Sequence, residues 1–147
     1  MDHKILVVDD ERPIRDLLQT FLNEEGYEVI LASNGEEALE LAEREQPHAI
    51  LLDVKMPGID GVETCTRLKA GEKTRLIPVI VATAFRETLL EACDAGADDF
   101  VTKPFHLAEI SVRLKSIFCV RHLTNELDRA TAYIAELQRN LPRQEGE

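Results

Sequence analysis

Short runs of continuous apolar residues alternate along the chain with longer segments whose apolar positions recur every three to four residues. The continuous runs are Lys4–Val8, Tyr27–Ala32, Ala49–Val54, Pro78–Ala82 and Phe100–Thr102. They are rich in β-branched residues and lack polar alternation, which predicts strands buried on both faces. Between them, Ile14, Leu17, Leu18, Phe21 and Leu22 share one helical face. Ala38, Leu39, Leu41 and Ala42 share another, and Val62, Cys65 and Leu68 a third. Arg86–Ala95 predicts a fourth helix, and the segment from Phe105 onward a long fifth. The punctuation agrees. Pro13 stands in a first helical turn, Gly26 and Gly96 stand where helices end, and Pro47 stops the second helix. Ser33 or Asn34 caps that helix, with Glu36 and Glu37 near its positive end. Met56-Pro57-Gly58 and Gly71–Arg75 read as connections. Strict strand–helix alternation predicts an α/β fold with a doubly wound, five-stranded parallel sheet covered on both faces.

Beyond residue 120 the pattern changes. Val120, Leu123, Leu127, Ala130, Ile134, Leu137 and Leu141 alternate in steps of three and four. That is an a/d stripe of about three heptads, near the minimum for a coiled coil. The helix from Phe105 is therefore expected to run on as one extended C-terminal helix. It would pair with a second copy as a parallel two-stranded coiled coil; the rival readings are an amphipathic helix folded back on the domain and a helix ordered only beside a missing domain. Pro142 breaks the helix. The organisation expected is a domain over 3–120, a helical extension and coiled-coil linker over 121–142, and a flexible tail over 143–147.

Composition narrows the function. The net charge of −11 lacks the electrostatic footprint for a phosphate backbone, which argues against direct nucleic-acid binding by this chain. No apolar run approaches the roughly 20 residues of a membrane helix. Cys65, Cys93 and Cys119 are scattered and lack metal-ligand spacing, the pattern of reduced thiols in a cytoplasmic protein.

Each apolar run stops where a polar residue appears: Asp9 and Asp10 after the first strand, Asp53 in the third, Thr83 after the fourth, Lys103 after the fifth. In a parallel sheet these ends converge on the carboxyl edge, where ligands bind at the point of strand-order reversal. Clustered carboxylates are costly unless a hard cation sits among them. A carboxylate can also act as a nucleophile and accept a phosphoryl group. Lys103 would then pair with phosphoryl oxygens, Thr83 would donate a hydroxyl hydrogen bond, and the small Ala84 would leave room.

With VVDDE, LLDVKMPGIDG, VIVATA and FVTKPF in this order and spacing, residues 3–120 resemble a response-regulator receiver domain of two-component signalling, in the CheY-like superfamily. The resemblance implies a flavodoxin-like (βα)5 fold of strand order 2-1-3-4-5. It implies that Asp53 is phosphorylated by a phosphohistidine of a sensor histidine kinase or phosphotransfer protein. It implies Mg2+ (or Mn2+) held by Asp10, Asp53 and the backbone carbonyl of Lys55, with Asp9 acting through water. It further implies a cis peptide between Lys103 and Pro104 and a switch pair formed by Thr83 and Phe100. Phe100 lacks the polar edge of a tyrosine or histidine, so plain core packing is its rival reading. In such domains the positions of Lys55 and Phe85 tune loss of the phosphoryl group, and a bulky Phe85 with a screening Lys55 points to a longer lifetime. The expected output passes through the C-terminal helix to an output domain or partner. Leu137–Pro142 loosely resembles the entry to a serine/threonine phosphatase output domain.

Three rival functions fit less well. A haloacid-dehalogenase-like aspartyl-phosphate phosphatase needs a second aspartate two residues after the nucleophile, where this chain has Lys55. A flavodoxin needs a Ser/Thr/Gly-rich phosphate loop after the first strand, where this chain has Asp9, Asp10 and Glu11. A receiver-like docking scaffold that is never phosphorylated has no need of the complete acceptor set.

Overall fold

The computed structural model describes residues 3–120, 123 and 126–141. They fall into two compact units, residues 1–104 and 105–147.

The first unit runs β1 (Lys4–Val8), α1 (Arg12–Glu24), β2 (Glu28–Ala32), α2 (Gly35–Glu45), β3 (Ala49–Asp53), α3 (Gly61–Ala70), β4 (Val79–Thr83), α4 (Arg86–Asp94) and β5 (Asp99–Thr102). All strand pairs are parallel and the order is β2-β1-β3-β4-β5, as the resemblance implied. Successive strand residues face opposite sides. Leu6, Val8, Ile50, Leu52, Val79 and Val81 point to the side covered by α2, α3 and α4, where Ala38, Ala42, Cys65, Leu68 and Ala92 complete one cluster. Ile5, Val7, Leu51 and Ile80 occupy the alternate positions, and α1 packs on β1 and β2 with Leu18 and Leu22 buried. Burial of the strands on both faces explains why they read as unbroken apolar runs. Cys65 lies in this core, and burial pushes its thiol up to about 11.

Local signals set the helix ends. Asn34 caps α2 by accepting from the Glu37 N–H at 2.8 Å, and Asp60 caps α3 by accepting from Glu63 at 2.8 Å. Gly26 and Gly96, both at φ +95°, follow α1 and α4 in the left-handed region. The amino end of β4 is held by Asp98, which accepts from the Val79 N–H at 2.8 Å and pairs with Lys69 at 2.7 Å.

In the second unit, α5 (Leu107–Val120) is followed by α6 (Glu126–Asn140). The expected single extended helix is corrected: the chain breaks between them and α6 folds back. Asn140 donates to the Ser116 hydroxyl at 3.1 Å, and burial together with the nearby Glu136 carboxylate pushes the Cys119 thiol up, so 116 lies by 140 and 119 by 136 and the two helices run antiparallel. The inward face of α6 carries Tyr133, buried, with Ala132, Glu136 and Leu137 half-buried. An intramolecular contact loses no translational freedom, whereas a three-heptad coiled coil must repay it on association. The heptad stripe is therefore split: Val120 is buried and Leu137 half-buried, whereas Leu127, Ala130, Ile134 and Leu141 face outward. Leu123 is half-buried in the connection. The expected breaker Pro142 and tail 143–147 lie outside the described residues, as does most of the connection at 121–125.

Gly61 governs how closely α3 approaches the end of β3. A Cβ there would meet the Asp53 carbonyl oxygen and lie 2.6 Å from the Val54 Cα, both immovable backbone. Gly61→Ala is expected to lower unfolding stability by about 1–3 kcal/mol, read from the midpoint of urea denaturation at unchanged slope.

Candidate functional site

The site is built by strand ends within the first unit. Strand order reverses between β1 and its neighbours β2 and β3, which opens a crevice at their carboxyl ends. Asp9 follows β1 and Asp53 is the last residue of β3. The backbone continues the sheet's pattern to fix them: the Asp9 N–H donates to Ala32 O at 3.1 Å, and the Val54 N–H to Ala82 O at 3.1 Å. One carboxylate oxygen from each of Asp9, Asp10 and Asp53 lies within 4.8 Å of the other two. Asp9 and Asp53 are buried, at 2% and 4% exposure, and Asp10 is exposed.

Lys103 enters from the end of β5. Its Nζ donates to Asp53 Oδ1 at 2.8 Å and lies 3.7 Å from Asp9 Oδ2. Its own N–H donates to Thr83 O at 3.0 Å, and the Lys103–Pro104 peptide is cis. Asp9 Oδ1 accepts from the Glu11 N–H at 2.9 Å, and Asp53 Oδ1 accepts from the Lys55 N–H at 3.4 Å.

These contacts leave the charge unbalanced. Burial pushes the Asp9 carboxyl up, and Asp53 and Asp10 push it further; the Glu11 N–H and Lys103 oppose the rise without cancelling it. Burial also raises the Asp53 carboxyl despite its bond to Lys103. At Lys103, burial acts to lower the ammonium's pKa, but the Asp53 bond and the pull of Asp53, Asp9 and Glu11 outweigh it and hold the amine above its usual value. Three converging carboxylates against one ammonium fit a hard divalent cation with oxygen ligands.

The sequence-predicted residues are largely brought together. Thr83 is buried at the end of β4, next to β3, with Ala84 following it exposed. Lys55 and Phe85 sit on adjacent loops and meet: the Lys55 Nζ lies 4.6 Å from the centre of the Phe85 ring. Phe100 is half-buried against the core face under α2, α3 and α4. Two contributors were not singled out in the sequence. Arg15 donates to the Asp9 carbonyl at 2.8 Å, and Thr88 hydrogen-bonds the Thr83 hydroxyl. A cation one helical turn into α1 was a usable signal for the first; nothing in the spacing distinguished Thr88 from a helix-surface threonine.

The family model for the response regulator receiver domain matches residues 5–115. The chain belongs to this family. It is 46% identical over 119 residues to the alkaline phosphatase synthesis transcriptional regulatory protein PhoP of Bacillus subtilis (strain 168), covering 80% of this chain and 49% of that protein. The chain thus spans about half the length of the curated relatives it matches. Among solved structures, it resembles the receiver domain of a signal transduction histidine kinase from Syntrophus aciditrophicus, with TM-score 0.78, 32% identity, 84% of this chain and 96% of that one. The receiver domain of the sensor histidine kinase PA1611 from Pseudomonas aeruginosa PAO1 matches with TM-score 0.74 and 29% identity, covering 84% of this chain and all of that one. That protein holds a magnesium ion in its active-site cleft. A receiver domain is a signalling module rather than a metabolic enzyme. Among the described residues, no helix is long and apolar enough to cross a membrane.

Asp9→Asn keeps an acceptor for the Glu11 N–H and removes a buried charge. In magnesium-free buffer at neutral pH it is expected to stabilise this receiver, read as a higher Tm. The sign follows from the raised folded pKa of Asp9. The ionised form is disfavoured on folding, so the wild-type penalty grows as pH rises from the ordinary carboxylate value to the raised one. The gain of Asp9→Asn should therefore be full above that window and vanish in acid below it, as scanning calorimetry across pH would show.

Proposed function

We propose that Asp53 is the phosphoacceptor of this receiver domain and that phosphorylation by a sensor histidine kinase or phosphotransfer protein controls its signalling state. The observation that carries this is the buried Asp53 carboxylate bonded to Lys103 at 2.8 Å, with Asp9 and Asp10 beside it. Asp53 is the nucleophile: its carboxylate oxygen forms the new bond to phosphorus as the bond to the donor's imidazole nitrogen breaks. Lys103 orients Asp53 and meets charge on the phosphoryl oxygens, and Thr83 supplies a hydroxyl to them. Asp10, Asp53 and the Lys55 carbonyl would hold Mg2+ or Mn2+, with Asp9 acting through water; bound there, the metal would neutralise phosphoryl charge. The switch role falls to Thr83, with Phe100 as its aromatic partner. The kinase docks on a surface that includes α1. The domain acts in the cytoplasm on an output domain or protein, without touching nucleic acid itself.

Intact-protein mass after incubation with Mg2+ and acetyl phosphate tests the acceptor. One phosphoryl adduct is expected on the wild type and none on Asp53→Asn. An unmodified wild type, also after trial with partner kinases, would favour the docking-scaffold reading.

The contact of Lys55 with Phe85 supports a tuning role for both, with the small Ala84 leaving room for the phosphoryl group. The ring and ammonium tie together the loops that flank Asp53, a link of about 0.5–1 kcal/mol at an exposed site. Phe85→Ala should shorten the phosphoryl lifetime a few-fold, measured by loss of the adduct after desalting. An unchanged lifetime would remove Phe85 from this role.

A homodimer through the C-terminal helix is the proposed route of output. The outward stripe Leu127, Ala130, Ile134 and Leu141 on α6 supports it, in place of the full stripe from Val120 to Leu141. Ile134→Lys should reduce the mass measured by light scattering to that of a monomer.

A further inference from the structure

Thr83 has a single hydroxyl proton, and the turn after β4 already engages that hydroxyl. The Phe85 N–H donates to Thr83 Oγ1 at 3.1 Å. The Thr88 hydroxyl lies 2.8 Å from the Phe85 carbonyl oxygen and donates to it. The two threonine hydroxyls are themselves hydrogen-bonded. With the proton of Thr88 on the Phe85 carbonyl, the proton of Thr83 goes to Thr88 Oγ1. The contacts then close into a ring: Phe85 N–H to Thr83, Thr83 to Thr88, Thr88 to Phe85 C=O. The alternative pattern, in which Thr83 donates to the Phe85 carbonyl at 3.2 Å and Thr88 donates to Thr83, also spends the Thr83 proton within the turn. In either pattern Thr83 has no second proton to give to a group on Asp53.

We propose that Thr88 is a latch, a positioning residue that holds the Thr83 hydroxyl in the β4–α4 turn and must release it before that hydroxyl reaches a phosphoryl group on Asp53. The proposal rests on the reading of Asp53 as acceptor and Thr83 as its hydroxyl partner. Three features give the latch this role. Thr88 is half-buried in the first turn of α4, a fixed element, so its hydroxyl is positioned by the helix. Phe85, the residue preceding that helix, makes no side-chain cap, so the hydroxyls of Thr83 and Thr88 supply the side-chain hydrogen bonds of the turn beside the backbone bond from Leu89 N–H to the Phe85 carbonyl at 3.3 Å. The same turn carries the ring that Lys55 covers. Turning Thr83 toward Asp53 therefore withdraws the acceptor of the Phe85 N–H and loosens the residue that closes the other side of the site. Release of the latch and opening of the Lys55–Phe85 contact are coupled through one residue.

A net hydrogen bond of ordinary strength shifts a two-state rotamer equilibrium several-fold. Thr88→Val removes the hydroxyl at constant shape. It is expected to speed phosphorylation by acetyl phosphate and Mg2+ about three- to five-fold, followed by intact mass. Thr88→Ser restores the hydroxyl and should return the wild-type rate. In a Thr83→Ala background Thr88→Val should change nothing, because the group it releases is gone; a merely structural role of Thr88 in capping α4 would persist there. Thr83 itself is read without any phosphate, from the three-bond couplings of its Cγ methyl to the backbone nitrogen and carbonyl. The couplings should report one side-chain rotamer in the wild type and in Thr88→Ser, and averaged rotamers in Thr88→Val. A single wild-type rotamer in Thr88→Val, or an equal rate effect with and without Thr83, overturns the latch. A wild type that takes no phosphoryl group overturns the acceptor reading on which the latch rests, and the couplings distinguish that failure from failure of the latch.

Discussion

Asp9 and Asp53 are buried side by side next to Asp10, and the Lys103 ammonium faces both buried carboxylates. Every other feature of the carboxyl edge serves or tolerates that arrangement. Desolvation favours the neutral form of each, and burial is the largest cause of the raised pKa of both. The Glu11 and Lys55 N–H groups and the Lys103 ammonium offset part of it. What remains uncompensated is the site's capacity: a place whose carboxylates gain from a cation, and whose buried aspartate gains by acquiring a group that the same cation and Lys103 can hold. Perturbed carboxylates gathered with a lysine in a crevice are the pattern expected of a functional site.

The scaffold keeps this arrangement rigid on one side and adjustable on the other. β1 and β3 are central strands without exposed positions near the site, and Gly61 lets α3 lie directly against the Asp53 backbone. Asp53 therefore has little freedom. The β4–α4 turn differs. Its side-chain contacts are hydroxyl hydrogen bonds and one exposed cation–π pair, each weak enough to exchange. On the proposed reading the asymmetry would place a fixed acceptor beside an adjustable turn.

Much of this was legible in the sequence because the determinants are local or periodic. Five unbroken apolar runs followed by polar residues gave the parallel sheet and placed Asp9, Asp53, Thr83 and Lys103 at one edge. Gly26, Asn34 and Gly96 marked helix ends that the structure retains. The tail was less legible. Its stripe from Val120 to Leu141 satisfies a heptad pattern, but the same segment carries a second face through Tyr133, Glu136 and Leu137. Periodicity reports that a helix has an apolar side; it does not say which of two faces finds the nearest partner. Here α5, already tethered, offers Ser116 and Cys119 to α6. The contact of Thr88 with Thr83 was illegible for a related reason, since it depends on the rotamer of a residue five positions earlier.

The most direct test of the carboxylate account is an NMR titration of the unphosphorylated protein with MgCl2, following the backbone amides of Glu11, Asp53 and Lys55. A common saturable isotherm for these amides, abolished in Asp10→Asn, is the predicted result. Shifts that never saturate, or that spread over the acidic surface and persist in Asp10→Asn, would show that the clustered carboxylates are not poised for a cation and would contradict the account at its base.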